Sequence, residues 1–228
     1  MVIFSSGIDS VVTAWLYKQL GYDLTLLHFK YGQAAMHIEL IATKELANQL
    51  GAKLIVHDVQ AIFNEFKQDS VLLSQKEPDP NMQMQDAEGT VSYVPNRNGI
   101  FAMIAAAWAE KEGCSTVAYG GQLQSASYPD NTIDFVNALN KSFKYSLNWQ
   151  TNIKFVSPLI HLVKHEIVKL GLALDVPFDK VCACYYPHIE NTKLVACGEC
   201  GCCQFRFTAF KMLGVKDTQK YNSLPSPD

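Results

Sequence analysis

The sequence predicts an α/β fold, in which a parallel sheet carries helices on both faces and a small helical, metal-binding unit follows at the C-terminus. Short apolar segments typical of strands alternate with segments of helical periodicity to about residue 160, and such alternation is typical of parallel sheets. Six of the seven cysteines lie between Cys182 and Cys203, which indicates a local metal site rather than disulfides. We expect the α/β domain to span residues 1–172 and the C-terminal unit to span residues 173–228.

The first half of the chain repeats strand and helix signals. Gly21 and Gly51 follow the two predicted helices, as glycine commonly does at helix C-termini. The predicted elements are a strand at 2–4, a turn at 5–10, a helix at 11–20, a strand at 23–29, a helix at 39–50 and a strand at 53–59.

The second half continues the pattern after a polar segment, residues 73–95, which is rich in Pro and Gln. We therefore expect a long loop there, and loops of this length often act as lids over functional sites. The predicted elements that follow are helices at 98–112, 132–146, 161–172 and 204–213 and a strand at 116–119.

Composition narrows the class of protein. The chain has 228 residues with 48% hydrophobic and 18% charged residues, which is ordinary for a globular protein. It has no apolar run long enough to span a bilayer and no signal-peptide pattern, so we expect a cytoplasmic protein that does not contact membranes. The net charge of −3 and the lack of a basic run give no reason to expect direct nucleic-acid binding.

The segment Ser5-Ser6-Gly7-Ile8-Asp9-Ser10 lies between the first strand and the first helix. Backbone N–H groups and the helix dipole favour an anion at this position. The serine hydroxyls add donors, Gly7 widens the choice of backbone conformation, and Asp9 can hold magnesium against phosphates. An ordinary capped helix start would also account for these residues. No Walker-type or dinucleotide-binding glycine motif is present, so any ATP loop here is of another kind.

Four cysteines have the spacing C-x12-C-x2-C-x2-C just before the last predicted helix. Cys184, Cys197, Cys200 and Cys203 therefore suit one tetrahedral zinc ion. Buried free thiols or an iron–sulfur cluster could also explain them, although the fourth Cys-Pro element of a ferredoxin run is missing. Cys182 and Cys202 are left over in this scheme, and either can substitute for a neighbouring ligand.

Several segments, taken in order, resemble the 7-cyano-7-deazaguanine synthase (QueC) family. The loop resembles the S-G-G-x-D-S motif of the N-type ATP pyrophosphatase (PP-loop) superfamily, with Ser6 in place of a glycine; if φ is positive there, its Cβ adds strain. The remaining segments are Tyr31-Gly32-Gln33, Val94-Pro95-Asn96-Arg97-Asn98, Tyr128-Pro129-Asp130, Pro158-Leu159-Ile160, the run from Lys164 to Gly171, and Cys184-Tyr185.

The resemblance implies an adenine nucleotide alpha hydrolase-like fold and a reaction of the queuosine pathway. In that reaction 7-carboxy-7-deazaguanine, ATP and ammonia give the nitrile 7-cyano-7-deazaguanine through adenylation of the carboxylate. It also implies one structural Zn²⁺ per chain, Mg²⁺ with the substrate ATP, and small-molecule partners. We expect a homodimer.

The resemblance also implies roles for single residues. Asp9, Arg97 and Lys164 would act in catalysis. ATP would lie against Phe4, Ser5, Ser6, Gly7, Ile8, Asp9 and Ser10, and the deazapurine against Arg97, Asn98, Tyr128 and Asp130. Simpler roles are equally compatible with the residue types: Arg97 as an exposed helix cap, Tyr128-Pro129-Asp130 as a turn that starts a helix, and Lys164 as a solvated lysine at a helix start.

The sequence departs from the family pattern before Tyr128, where Gln122 to Ser127 replace a stretch that is usually acidic. This leaves open a diverged relative that stops at the amide or conjugates the deazaguanine to a protein amine. A tRNA thiolase of the same superfamily and a zinc-stabilised binding module without catalysis also stay open. The lack of a basic patch argues against the thiolase.

Overall fold

A five-stranded parallel sheet forms the centre of the chain. The computed structural model describes residues 1–66, 70, 72–73, 92–123 and 128–225, so most of the loop predicted at 73–95 lies outside the described residues. The strands are β1 (Val2–Ile3), β2 (Thr25–Lys30), β3 (Lys53–Asp58), β4 (Thr116–Ala118) and β5 (Lys154–Val156). Their order is β3-β2-β1-β4-β5, and each neighbouring pair is parallel.

Helices cover both faces of this sheet, as predicted. They are α1 (Ile8–Gln19), α2 (Met36–Leu50), α3 (Gln60–Phe63), α4 (Arg97–Lys111), α5 (Ile133–Ser146), α6 (Lys164–Ala173) and α7 (Gly201–Met212). Buried side chains of α1, α2, α6 and α7 form one core cluster with Leu26, whereas those of α4 and α5 form a second cluster with Leu27. Consecutive residues of β2 thus point to opposite faces, because side chains alternate along a strand.

The strand order reverses at the centre of the sheet. From β1 the chain builds outward through β2 and β3, and it then returns to place β4 on the other side of β1. The loops that follow β1 and β4 therefore separate at the carboxyl edge of the sheet. In open α/β sheets the crevice at this point is the usual ligand site.

The C-terminal unit contains a small sheet that the sequence did not predict, as well as the expected helix α7. Strands β6 (His188–Glu190) and β7 (Lys193–Ala196) pair antiparallel, and β8 (Lys220–Tyr221) adds in parallel to β7. Ala209 and Phe210 of α7 belong to the same core cluster as α1. No helix among the described residues is long and apolar enough to cross a membrane.

Candidate active site and metal centre

The loop between β1 and α1 has the form expected of an anion cradle. The Ser10 hydroxyl donates to the Gly7 carbonyl at 3.0 Å and accepts from the Ser5 backbone N–H at 3.2 Å, so the loop is closed on itself. Residues 7–10, at the start of α1, line a cavity, and the N-terminus of a helix favours negative charge there.

Ser6 has a φ of 64°, in the left-handed region. The strain that its Cβ was expected to add is therefore present and costs about 1 kcal/mol relative to glycine. Two contacts hold the residue in place: its hydroxyl donates to the Ser5 carbonyl at 2.5 Å, and its own carbonyl accepts from the Cys182 N–H at 2.9 Å.

Not every loop residue can present a side chain to a ligand. Phe4 and Ile8 are core residues, 1% and 4% exposed, and Ser6 is fully buried. These three residues can contribute only backbone groups to ligand binding. Ser5, Asp9 and Ser10 line the cavity, and their side chains can bind a ligand.

Asp9 and Lys164 meet in space although 155 residues separate them in the sequence. The Lys164 Nζ lies 2.6 Å and 2.7 Å from the two carboxylate oxygens of Asp9. Both side chains are mostly buried, at 15% and 25% exposure for Lys164 and Asp9. The first residue of α6 thus neutralises the acidic residue in the first turn of α1.

Position 120 must be glycine because the backbone of the β1–α1 loop lies too close for a side chain, a requirement that the sequence did not predict. It follows β4, beside β1 at the point where the strand order reverses. A Cβ at Gly120 would lie 2.8 Å from the Asp9 carbonyl carbon and 2.9 Å from the Ser10 nitrogen. Backbone atoms cannot yield as a side chain does, so any larger residue would displace the loop.

A cavity of about 410 Å³ opens above this loop. It is bordered by the β1–α1 loop, the end of β2, the start of α4, the segment after β4 and the first part of the C-terminal unit. Its walls include Ser5, Asp9, Tyr31, Gln33, Glu39, Arg97, Asn98, Gly120, Tyr128, Asp130, Lys164, Cys182, Tyr185 and Cys202. The volume suits a small ligand of the size that enzymes commonly bind.

Arg97 is the first residue of α4 and is half-buried in the cavity wall. Its guanidinium carbon lies 5.8 Å from the centre of the Tyr31 ring. Within the described part of the chain it forms no ion pair with a carboxylate at 4 Å or less. A half-buried cation without a carboxylate at that distance favours binding of an anionic ligand in this cavity.

Asn98 and Asp130 hold each other. The Asp130 carboxylate accepts from the Asn98 backbone N–H at 3.0 Å, and the Asn98 side-chain amide donates to the Asp130 carbonyl at 3.2 Å. Asp130 therefore caps the N-terminus of α4 from a distant loop. Its cavity-facing position still leaves acceptor capacity, since a carboxylate has about four acceptor sites.

Tyr128 is held by neighbours from the segment before α4. Its hydroxyl lies 2.7 Å from the Ser92 hydroxyl, and its ring stacks on that of Tyr93 with centroids 6.1 Å apart and planes 7° apart. The Tyr128 ring thus sits in the cavity wall in a fixed orientation, which suits stacking against a planar ligand.

Reasoning from the sequence missed Glu39, which α2 directs to the cavity. One carboxylate oxygen accepts from the Gln33 side-chain amide at 2.8 Å, and Gln33 is itself fixed by the Phe29 carbonyl and the Tyr31 N–H. Burial raises the pKa of Glu39 to about 7, against the lowering effects of the Gln33 hydrogen bond and of Arg97. The Tyr31-Gly32-Gln33 segment at the end of β2 was the available signal.

The four cysteines with metal-ligand spacing converge, as predicted. Cys184, Cys197, Cys200 and Cys203 are all buried, and their sulfur atoms lie within 4.8 Å of one another. A tetrahedron with zinc–sulfur bonds of about 2.3 Å has edges of about 3.8 Å. The sulfur–sulfur distances of 3.5, 3.8 and 3.9 Å match this edge, so the donor set fits a tetrahedral metal ion.

Backbone N–H groups also point at these sulfur atoms. Cys197 and Tyr186 donate to the Cys184 sulfur at 3.2 and 3.3 Å, and Cys200 donates to the Cys197 sulfur at 3.3 Å. Hydrogen bonds to sulfur favour the thiolate, the form that binds metal. Cys182 and Cys202 are outside the cluster and line the cavity instead.

A buried ion pair within the C-terminal unit lies behind the segment that contacts the β1–α1 loop. Arg206 of α7 and Asp217 form two hydrogen bonds of 2.9 and 2.8 Å and are 2% and 4% exposed. Arg206 also donates to the carbonyls of Phe178 and Val181. Since the next residue, Cys182, donates to Ser6, the ion pair fixes the segment that touches the loop.

The comparisons with known proteins identify the family of this chain. A sequence model of the family described as "Queuosine biosynthesis protein QueC" matches residues 1–214. A 7-cyano-7-deazaguanine synthase of Nitratiruptor sp. is 38% identical over 224 residues, covering 98% of both chains. That of Aliarcobacter butzleri is 34% identical, covering 96% of this chain and 93% of its own.

The parallel sheet with its central reversal of strand order places the chain among the doubly wound α/β folds. Within that class, this chain belongs to the QueC family. Among solved structures, NMN synthetase from Francisella tularensis aligns with a TM-score of 0.47 and 16% identity, over 94% of this chain and 76% of that one. This structural likeness is distant.

Proposed function

We propose that the chain adenylates 7-carboxy-7-deazaguanine with ATP and, with ammonia, forms 7-cyano-7-deazaguanine. The observation that carries the proposal is that one cavity joins the strained loop at α1, the Asp9–Lys164 pair and the guanidinium of Arg97. Membership of the QueC family, with relatives named 7-cyano-7-deazaguanine synthase, supports a deazaguanine substrate.

In this proposal ATP lies along residues Phe4 to Ser10. The backbone of the loop and the hydroxyls of Ser5 and Ser10 hold the phosphates, because N–H and O–H donors converge there. Asp9 would hold Mg²⁺, and the Lys164 ammonium, which contacts Asp9 in this structure, would instead contact a phosphate oxygen. Transfer of AMP to the substrate carboxylate needs charge stabilisation rather than a side-chain nucleophile.

The deazapurine lies against Tyr128, with its ring stacked on the tyrosine ring, and Asp130 accepts from its N–H groups. Asn98 positions Asp130, and the substrate carboxylate and the transferred phosphate lie near Arg97. Ammonia displaces AMP from the mixed anhydride and gives the amide. A second ATP then adenylates the amide oxygen, and loss of AMP and a proton from nitrogen gives the nitrile.

Zinc is the metal that we propose for the four cysteines, because four thiolates in a closed tetrahedral site are typical of structural zinc. The ion would supply folding energy and hold residue 184 beside the cavity, and it takes no part in the chemistry. We further propose an ATP-binding domain over residues 1–172, a zinc-binding unit over 173–228, a homodimer, and a cytoplasmic location, where ATP is supplied.

The test is an assay of AMP formation from ATP and Mg²⁺ with 7-carboxy-7-deazaguanine and ammonium chloride, followed by mass spectrometry of the product. Asp9→Ala should abolish AMP formation. Asp134→Ala is the matched control, because Asp134 also lies in the first turn of a helix but is exposed away from the cavity.

The product decides between the related activities. The nitrile supports the full reaction, an accumulated amide indicates arrest before the amide loses its oxygen, and a deazaguanine mass on a protein indicates the conjugating relative. If no AMP forms with this carboxylate and either ammonium or a protein amine, the ligase proposal is wrong. It is also wrong if Asp9→Ala is as active as wild type.

A further inference from the structure

Glu39 is a cavity carboxylate to which the proposed reaction gives no role. Within the described part of the chain its side chain has one hydrogen bond, from Gln33, and no ion pair. Gln33 is 5% exposed and fixed by two backbone groups of the β2 end, so it holds the Glu39 carboxylate in one orientation. Glu39 lines the cavity, and its second carboxylate oxygen has no hydrogen bond among the described residues.

A partly buried carboxylate of this kind lowers the stability of the fold, which indicates that it has a role in binding or catalysis. Burying an acid without a cation partner disfavours its charged form. Gln33 supplies one hydrogen bond to the Glu39 carboxylate. The charge of Arg97 lowers the pKa of Glu39, but among the described residues the two side chains form no ion pair within 4 Å. A small cation in the cavity would both complete the hydrogen bonds of the carboxylate and relieve the cost of its burial.

The nitrogen donor of the proposed reaction is such a cation. Ammonia is mostly ammonium at neutral pH, and ammonium cannot attack an acyl group until it loses a proton. We infer that Glu39 binds ammonium beside the acyl adenylate and takes its proton, so that ammonia is generated next to the reacting carbon. This inference rests on the proposed function.

The step balances without any further reactant. One ammonium proton passes to the Glu39 carboxylate, and the freed nitrogen lone pair forms a bond to the acyl carbon. The bond from that carbon to the AMP oxygen breaks, and AMP leaves with the electron pair. The second proton on nitrogen passes to solvent, which gives the amide. The pKa of Glu39, about 7, suits a base that works near neutral pH.

The experiment compares Glu39→Gln with wild type in two reactions of the full chain. The first is exchange of labelled pyrophosphate into ATP with 7-carboxy-7-deazaguanine and no amine, which reports adenylation alone. The second is product formation with either ammonium chloride or hydroxylamine, since hydroxylamine is mostly neutral at pH 7 and needs no prior deprotonation.

We expect Glu39→Gln to keep exchange and to lower ammonium-dependent turnover about 100-fold or more, the usual range for loss of a general base. Hydroxylamine-dependent turnover should fall by less than about tenfold. Glu39→Asp should recover part of the ammonium reaction. Glu45→Gln is the matched control, because Glu45 lies on the same helix in an exposed ion pair with Lys180.

Several outcomes would overturn the inference. Equal losses with ammonium and hydroxylamine would make Glu39 a positioning residue, and loss of exchange in Glu39→Gln would assign it to binding of the carboxylate substrate. Unchanged ammonium turnover would remove its role altogether. Absence of exchange in wild type would instead refute adenylation, and with it the basis of both proposals. Zinc content and melting temperature of each variant show that it is folded.

Discussion

The buried pair of Arg206 and Asp217 offers the sharpest stability test of the structure. Asp217→Asn keeps the volume of the side chain but removes its charge, and leaves the Arg206 guanidinium, 2% exposed, without a carboxylate. Removing one partner of a buried ion pair typically costs about 3–5 kcal/mol. Asp217 also accepts from the Tyr221 hydroxyl and the Gln219 N–H, so the substitution weakens these two hydrogen bonds as well.

For a chain of this length, each kcal/mol lowers the melting temperature by about 2–4 °C. The expected fall for Asp217→Asn is therefore about 6–20 °C, measured by calorimetry of zinc-loaded protein. Asp58→Asn is the matched control, because Asp58 pairs with Lys30 on the surface at 50% exposure. An exposed pair contributes about 0–1 kcal/mol, so the control should fall by no more than about 4 °C.

The difference in melting temperature between wild type and Asp217→Asn should disappear at acidic pH. Burial by itself would raise the pKa of Asp217, but the hydrogen bonds and charge of Arg206 outweigh it and hold that pKa below its ordinary value of 3.8. A carboxylate of lowered pKa stabilises the fold above its unfolded pKa, and this contribution is lost as pH falls through the folded value. If the two Asp→Asn variants melt alike at pH 7, the ion pair does not hold the C-terminal unit and the reasoning fails.

Three further predictions concern the metal, the loop and the cavity. Elemental analysis should find about one zinc per chain, and Cys200→Ser should lower both zinc content and melting temperature; iron with visible absorption would contradict this. Gly120→Ala should displace the loop at Asp9 and lower AMP formation about 100-fold while zinc content stays unchanged, and wild-type activity would show that the close contact is absent. Glu39→Gln should be more stable than wild type at pH 8 by up to about 3 kcal/mol, because the raised pKa of Glu39 makes its ionisation destabilising between pH 4.5 and about 7; denaturant titrations that differ equally at pH 4.5 and pH 8 would contradict this.

Local signals in the sequence predicted much of the fold. The helices α1, α2, α4 and α5 begin and end within a few residues of the predicted bounds, since apolar periodicity and terminal glycines are local features. The four metal-site cysteines were separated correctly from Cys182 and Cys202, because short spacing from a tight turn constrains where thiolates can meet.

What the sequence did not predict depends on contacts between distant segments. Strand β8 is two residues long and pairs with β7 across more than twenty residues, and β5 has three residues, so neither has a periodicity to detect. Lys164 looks like any lysine at a helix start until Asp9 is placed 2.6 Å from it. Glu39 follows the ordinary pattern of α2, and only burial distinguishes its carboxylate from an exposed one.

The sequence also did not predict that the segment leading to the four-cysteine cluster contacts the β1–α1 loop through Cys182, because the two segments are far apart along the chain. Cys184 lies two residues after Cys182, whose N–H binds the carbonyl of Ser6, the residue with left-handed backbone. A strained conformation persists only where its surroundings fix it. Cys184, in the four-cysteine cluster, lies on one side of Cys182, and Arg206 fixes the segment on the other side through the Val181 carbonyl. The C-terminal unit therefore supports the geometry of the β1–α1 loop directly, which gives the four-cysteine cluster a physical reason to lie beside the loop that we propose binds phosphate.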